Sequence, residues 1–365
     1  MNTKYWTAFS SIEQLDSSFI QRLYNYFGDI ETAFNATLRD LEQIEGLSKI
    51  KAENFIEKKE KNKVNPDQTL AFILDKGIKI LTYEDEKYPY MLRQIPNPPM
   101  TLYYKGDLFS CNLERTVAFV GSRRASFSGK EGVNRIISDL ANTDLCIVSG
   151  LATGIDAVSH ESAIANNLKT IGVIASGFDH IYPSGNKYLY EKIENGCGAV
   201  VTEYYPTFEP MQFRFPQRNR IVTGLSYGTV VGEAAIKSGA LISANLTLEQ
   251  GRELMCIPGA INNINTEGIY KLLKDGATMV TKGEDILNAL GWEIPALKEN
   301  KKADITTIDA KYLPIFNTIK IEPKSFDELQ SESGLNTEDL LIRLTEMELQ
   351  GLIEQSEGDR YRRIV

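Results

Sequence analysis

Three arginines, Arg214, Arg218 and Arg220, crowd into the segment MQFRFPQRNR, interleaved with Phe213 and Phe215, and no acidic residue occurs between Glu209 and Glu233. The chain as a whole is acidic, with a net charge of -9, so this local reversal of sign needs a cause. A guanidinium fork matches phosphate oxygens and a phenylalanine face stacks on a base, so the pattern suits a nucleotide or a strand of nucleic acid. A solvated basic loop with one ion pair is the plainer reading of the same residues. Downstream, Tyr227 to Val231 reads as a short buried strand, and Ser238 and Gly239 read as a turn that opens an amphipathic helix. Strand, glycine turn and helix start expose free backbone amides at the positive end of a helix dipole, which makes an anion site. The arginines and this turn are expected to face one ligand.

The elements that must position these residues follow from an α/β cadence. RTVAFVG, DLCIVSG, TIGVIAS, GAVVTE, GTVVGE and ELMCIPG are six apolar runs, each separated from the next by enough chain for a helix. Continuous apolar runs mark strands covered on both faces, so the expected fold is a Rossmann-like, doubly wound, mostly parallel sheet. Ligands in such sheets lie beyond the carboxyl ends of the strands. Those ends carry Gly121, Ser122 and Arg123, then Gly150 and Gly154, and then Ser238 and Gly239. The first end, GSRRAS, lacks the spaced glycines of a dinucleotide fingerprint, which argues against NAD or FAD, and no cofactor is expected. Asp156 reads as the N-cap of a helix that carries His160 one turn later. The pair suits either acid–base chemistry or a capping Asp followed by a packed His.

At 365 residues and 42% apolar content the chain is long enough for two or three domains. Four scattered cysteines and two histidines give no zinc or disulfide pattern. No cationic leader and no long apolar run is present, so a cytoplasmic location away from membranes is expected. Residues 1–66 read as a helical domain, SAM-like or helix-hairpin-helix-like around Gly46, although a plain helical hairpin has the same pattern. Residues 67–99 read as an extended connector, 100–292 as the core, 293–309 as a linker and 310–365 as a winged-helix-like domain with a hairpin turn near Gly358. The expected recognition helix of that domain carries Glu338, Asp339, Glu346 and Glu348 against one Arg343, which suits protein docking better than duplex DNA.

Taken together, GSRRAS, SGLATGIDAVSH, GVIASGFDHIYPSGN, FPQRNRIVTGLS and SGALISANLTLEQGRELMCIPG resemble the DNA-processing protein A family, also called DprA or Smf, over residues 100–290. The resemblance implies a homodimer that binds single-stranded DNA, protects incoming strands in natural transformation and loads the RecA recombinase onto them, without being an enzyme. Gly121, Ser122, Arg123 and Ser126 match the family's first motif. Gly150, Gly154, Asp156 and His160 match the second, and Phe215, Arg218, Asn219 and Arg220 the third. Ser159, Ala240 and Phe178 depart from the usual residues, and Ala240 removes a hydroxyl from the Ser238 turn. On this reading a phosphate or two of single-stranded DNA is expected over the Gly121 to Arg123 turn, held by Arg123 and Arg218 or Arg220, with Phe215 offering a face to a base and Asn219 fixing its loop. A rival reading is a phosphoribohydrolase-like nucleotide enzyme, with Glu233 acting on the ribose; its PGGxGT turn is absent.

Overall fold

A computed structural model describes residues 2–293, 311–319, 323–349, 352–356 and 360–363. The chain divides into two compact units, Met1–Pro295 and Ala296–Val365.

The first unit is built on strands β1 (Lys79–Thr82), β2 (Thr101–Gly106), β3 (Thr116–Val120), β4 (Cys146–Ser149), β5 (Lys169–Val173), β6 (Gly198–Thr202), β7 (Gly228–Val231), β8 (Glu253–Cys256) and β9 (Thr278–Met279). They form one nine-stranded sheet in the order β1-β2-β6-β5-β4-β3-β7-β8-β9. All six runs singled out in the sequence are strands of its parallel part, with Val117 opposite Ile147 on one side and Gly228 on the other. The chain steps outward from β3 through β4, β5 and β6, then returns to build β7 and β8 on the other flank. Strand order therefore reverses between β3 and β7, and the crevice beyond their carboxyl ends is the place such sheets offer a ligand.

Period-two alternation explains why the runs are apolar throughout. Ala118 and Val120 of β3, with Cys146 and Val148 of β4, enter one core, while Val117, Phe119 and Ile147 enter another on the opposite face. Each fully buried valine or phenylalanine contributes about 1.5–3 kcal/mol relative to exposure.

Helices α1 (Thr3–Ser10), α2 (Ser17–Phe27), α3 (Ile30–Asn35), α4 (Leu38–Glu42) and α5 (Lys49–Lys61) make the N-terminal helical region around Trp6, Phe9, Leu23 and Phe55. Asp16 caps α2 by accepting a bond from the Phe19 amide at 2.8 Å, and Gly28 ends it in the left-handed conformation, at φ 71°. The stretch expected to be an extended connector is more structured than its prolines implied. It holds α6 (Pro66–Asp75), with Pro66 at the first turn after an Asn65 cap, and α7 (Tyr90–Arg93), and β1 pairs antiparallel with β2.

Two sets of helices cover the sheet. Helices α8 (Phe127–Asp139), α9 (Ile155–Ala165) and, after the short α10 (Lys187–Lys192), the later α14 lie with one core; α11 (Arg214–Gly224), α12 (Ala240–Glu249) and α13 (Glu267–Lys274) lie with the other, α14 being Gly283–Ala289. The basic segment expected to be a loop is α11. Its Ile221 and Val222 pack into the core, and its Gly224 fits because an added Cβ would meet Ile95 and Leu92 at about 3 Å.

The second unit has α15 (Leu313–Thr318), α16 (Phe326–Ser333) and α17 (Thr337–Leu349) with β10 (Lys324–Ser325), β11 (Ile353–Ser356) and β12 (Arg360–Arg363), the three strands forming a β10-β12-β11 sheet. Three helices and an antiparallel wing make a winged helix. The turn near Gly358 and all of the expected 293–309 linker after residue 293 lie outside the described residues.

Candidate nucleic-acid interface

A cavity of about 700 Å³ occupies the crevice at the β3–β7 reversal. Gly121, Ser122, Arg123, Gly150, Asp156, Phe215, Arg218, Asn219, Ser238 and Gly239 all line it, so ten residues singled out in the sequence converge on one space. Ser126, Gly154, His160 and Arg220 do not line it.

The turn after β3 is held from below by Glu233, which follows β7. Glu233 is buried; its main-chain oxygen accepts from the Ser122 amide at 2.8 Å, and its carboxylate accepts from the Ser126 amide at 2.9 Å, the Ser126 hydroxyl and the Asn263 amide group at 2.9 Å. Ser126 also caps α8 through the Gly129 amide. Ser126 is thus a brace, and Glu233 is a structural anchor whose two oxygens are both occupied. A carboxylate attacking or polarising a ribose must reach the crevice, and Glu233 is not in its lining.

Close backbone approach fixes the second turn. Gly154 has φ 81°, and a Cβ on it would fall 2.2 Å from the Ser122 oxygen. Gly154, not Asp156, stands at the N-cap of α9; the difference arises because Asp156 turns back inside the first helical turn and accepts from the Gly150 amide at 3.1 Å. Burial raises the Asp156 carboxyl above its ordinary value, and Arg218, the Ala152 and Gly150 amides and Arg123 pull it back.

His160 is a packed core residue. The Thr170 hydroxyl donates to the Ile147 oxygen at 2.7 Å, so its own oxygen accepts from His160 Nδ1–H at 2.7 Å. His160 Nε2 is buried without a partner. Burial, helped by the nearby Arg218 charge, pushes the imidazole down to about 3, so it is neutral near pH 7. Acid–base work between Asp156 and His160 has no support in this arrangement.

The arginines of α11 do not present the free forks expected of them. Arg218 is buried: its Nη1 donates to the Gly150 and Val173 carbonyls and its Nε to Asn219 Oδ1 at 3.3 Å. It forms the floor of the crevice, pinning the ends of β4 and β5 to α11. Gly150 is required there, since a Cβ would lie 2.7 Å from the guanidinium. Arg220 turns the other way, onto Glu203, with Ser17 beside them. Arg214 is buried on Glu13 at 2.9 Å. Helical geometry accounts for the Arg218–Arg220 divergence: positions two apart in a helix are about 200° apart around the axis, so these two side chains cannot face one ligand.

What the mouth does offer is Arg123. It is exposed, and its guanidinium stands 5.1 Å from the centre of the Phe215 ring, whose other neighbour is the exposed Tyr182 ring at 5.4 Å. Arg124 is exposed beside it, its carbonyl held by Asn265 at 3.1 Å. Residues opening α11 and α12 line the crevice, so two helix dipoles add positive potential. Arg123, Phe215 and these helix starts suit an anion carrying a flat base. Among the described residues, no three His, Cys, Asp or Glu side chains gather as a metal site.

The profile of DNA recombination-mediator protein A matches residues 79–291. The chain belongs to this family. A second profile, the DprA winged helix domain, matches residues 299–359. Protein Smf of Synechocystis is 31% identical, the alignment covering 98% of each chain. DNA processing protein DprA of Streptococcus pneumoniae is 43% identical over 56% of this chain and 71% of its own. Among solved structures, DNA processing protein A of Streptococcus pneumoniae superposes with a TM-score of 0.70 at 34% identity, covering 80% of this chain and 98% of that one. The Helicobacter pylori protein, in a structure concerned with its single-stranded DNA binding mode, gives 0.53 at 29% identity over 58% and 95%.

Several residues that shape this member's crevice were not found by sequence reasoning. Tyr182 was visible, lying within a quoted motif, but nothing in its spacing tied it to Phe215. Asn263 and Asn265 come from a polar loop after β8 and give no local signal at all.

Proposed function

We propose that the chain binds single-stranded DNA in the β3–β7 crevice and works in natural transformation, protecting incoming strands and loading RecA recombinase onto them as a cytoplasmic homodimer. The observation that carries the binding step is the stack of Arg123, Phe215 and Tyr182 at the mouth of a cavity opened by helix N-termini. A base inserted against these rings gains about 1–3 kcal/mol, and the phosphates beside it meet Arg123, Arg124 and the Ser238–Gly239 turn. The acidic remainder of the surface works against a duplex, which needs many phosphate contacts at once. Kinship supports the same reading: the Helicobacter pylori relative is described with a single-stranded DNA binding mode. One crevice holds few nucleotides, so a pair of protomers on one strand raises affinity through effective concentration.

Fluorescence anisotropy with a labelled oligothymidine and a matched duplex, at two salt concentrations, tests this. Wild type binds the single strand in preference, salt weakens it, and Arg123→Ala binds less. Equal binding of both ligands, or an unaffected variant, rejects the crevice. Sedimentation of the 40.9 kDa chain as a dimer and faster RecA filament growth on a protein-covered strand check the finer steps.

A further inference from the structure

The strand order β5-β4-β3-β7-β8 puts the chain after β5, with Tyr182, on one flank of the crevice and the loop after β8, residues 257–266, on the other. That second flank has an inverted surface. Its polar side chains turn inward: Asn263 donates to Ser126 Oγ at 3.3 Å and to the Glu233 carboxylate at 2.9 Å, and Asn265 donates to the Arg124 carbonyl at 3.1 Å. The Thr266 hydroxyl bonds to carbonyls of the same loop. The apolar side chains between them are left outside, Ile261 at 91% and Ile264 at 69% exposure. Water favours the reverse arrangement, so isoleucines held out by polar anchors mark a surface that is covered in use.

The charges around this loop have one sign. The Gly268 amide donates to the Ala234 carbonyl at 2.8 Å, so the chain after β7 joins the loop and the β3 turn on this flank. The stretches 122–130, 234–248 and 254–266 hold Arg123, Arg124, Lys130 and Lys237 and no acidic residue, in a chain of net charge -9. Arg124, Lys130 and Lys237 are exposed. Phe127 and Lys130 are three positions apart on α8 and so lie on one side of it, with Phe127 at 62% exposure. Cations set among exposed apolar side chains suit a polyanion that also carries apolar faces. Continuity selects which one. Arg124, Asn265, Ala235 and Ile242 belong to these stretches and also line the crevice, so a ligand seated in the crevice meets the flank without leaving the protein.

We propose that the single strand leaves the crevice over this flank, its next bases lying on Ile261, Ile264 and Phe127 and its phosphates meeting Arg124, Lys130 and Lys237. The inference rests on the single-strand reading given above. It gives the strand a direction across the sheet, from the Tyr182 flank over the β3 turn to the β8 loop. The crevice then becomes the first part of a longer track, and the two asparagines that brace the β3 turn also hold that track against it.

Two measurements on the full-length protein test it. Labelled oligothymidines of about 4 and about 12 nucleotides are titrated by anisotropy across a salt series. The double variant Lys130→Ala, Lys237→Ala changes exposed residues only, and should bind the short strand within about twofold of wild type, which shows that fold and crevice are intact. For the long strand it should lower the slope of log affinity against log salt by about 1.4, a loss of roughly 25-fold at about 0.1 M salt. The second measurement is photocrosslinking with a single 4-thiothymine moved along the long strand. Trypsin releases Phe127 in peptide 125–130, Ile261 and Ile264 in peptide 253–271 and Phe215 in peptide 215–218. One position should label 215–218, and positions to one side of it 125–130 or 253–271. Ile264→Asp, at an exposed site, should deplete the label on 253–271 and keep that on 215–218. Unchanged long-strand binding by the double variant, or label on 215–218 alone at every position, overturns the inference, leaves the crevice reading standing and gives the flank to an acidic protein surface instead. Label on none of the three peptides removes both readings.

Discussion

Lowering the pH should destabilise this protein through His160 alone by an amount that can be worked out. The imidazole is held near 3 in the folded chain by burial and by Arg218, and returns to its ordinary value of about 6.5 on unfolding. Between those values the unfolded chain binds the extra proton, so stability rises with pH, is complete above about pH 6.5 and is lost progressively below it. Each pH unit in that window is worth about 1.4 kcal/mol, so moving from about pH 7 to about pH 5 costs about 2 kcal/mol. The figure is insensitive to the folded value, provided that value stays well below 5. Asp156, whose carboxyl is raised by burial, works in the opposite direction and is common to wild type and variant. Both tryptophans, Trp6 and Trp292, lie in the first unit, so urea unfolding followed by their fluorescence reports on the unit that holds His160. Wild type should lose about 2 kcal/mol more than His160→Asn across this range; Asn keeps a donor for Thr170 and cannot titrate. Equal losses in the two proteins would refute the neutral, buried imidazole.

Arg123→Ala should weaken single-strand affinity and lower the slope of log affinity against log salt by about 1, the signature of one lost phosphate contact, measured by anisotropy across a salt series. Gly150→Ala brings a methyl group to 2.7 Å from the Arg218 guanidinium and should destabilise the chain by about 1–3 kcal/mol, read from urea unfolding. Glu233→Gln replaces an acceptor for both Ser126 groups and Asn263 with an amide that can satisfy only some of them, and should lower stability by about 1–3 kcal/mol in thermal unfolding. Nucleotide hydrolysis that the wild type performs and this variant lacks would reinstate a catalytic role for Glu233.

The parallel sheet was legible because strands buried on both faces are apolar at every position, and six such runs stand between helix-length gaps. The crevice was legible for a related reason: glycine at strand ends marks where the backbone is closely approached, by the Ile155 side chain at Gly121, by the Arg218 guanidinium at Gly150 and by the Ser122 backbone at Gly154. The fate of the α11 arginines was not legible. Charge in a sequence shows what a residue carries, not which way it faces, and once the segment is helical Arg218 and Arg220 point in different directions. Glu13, the partner of Arg214, is 201 positions away in the chain, and Glu203, the partner of Arg220, follows β6, so no local pattern pairs them. The Asp156 cap failed on a smaller point, because Gly154 can take a positive φ at the N-cap and leaves Asp156 free to hold the Gly150 amide.

The central position of β3 and β4 carries a consequence for motion. Both strands are hydrogen-bonded on two edges and covered on two faces, whereas β1 and β9 close the sheet at its margins. Their amides should therefore be the last to exchange with heavy water, opening only when the whole unit opens, while those of β1 and β9 exchange through local fraying. The turns that line the crevice spring from the slow-exchanging centre, so a strand docking there meets a surface whose shape is already set before it arrives.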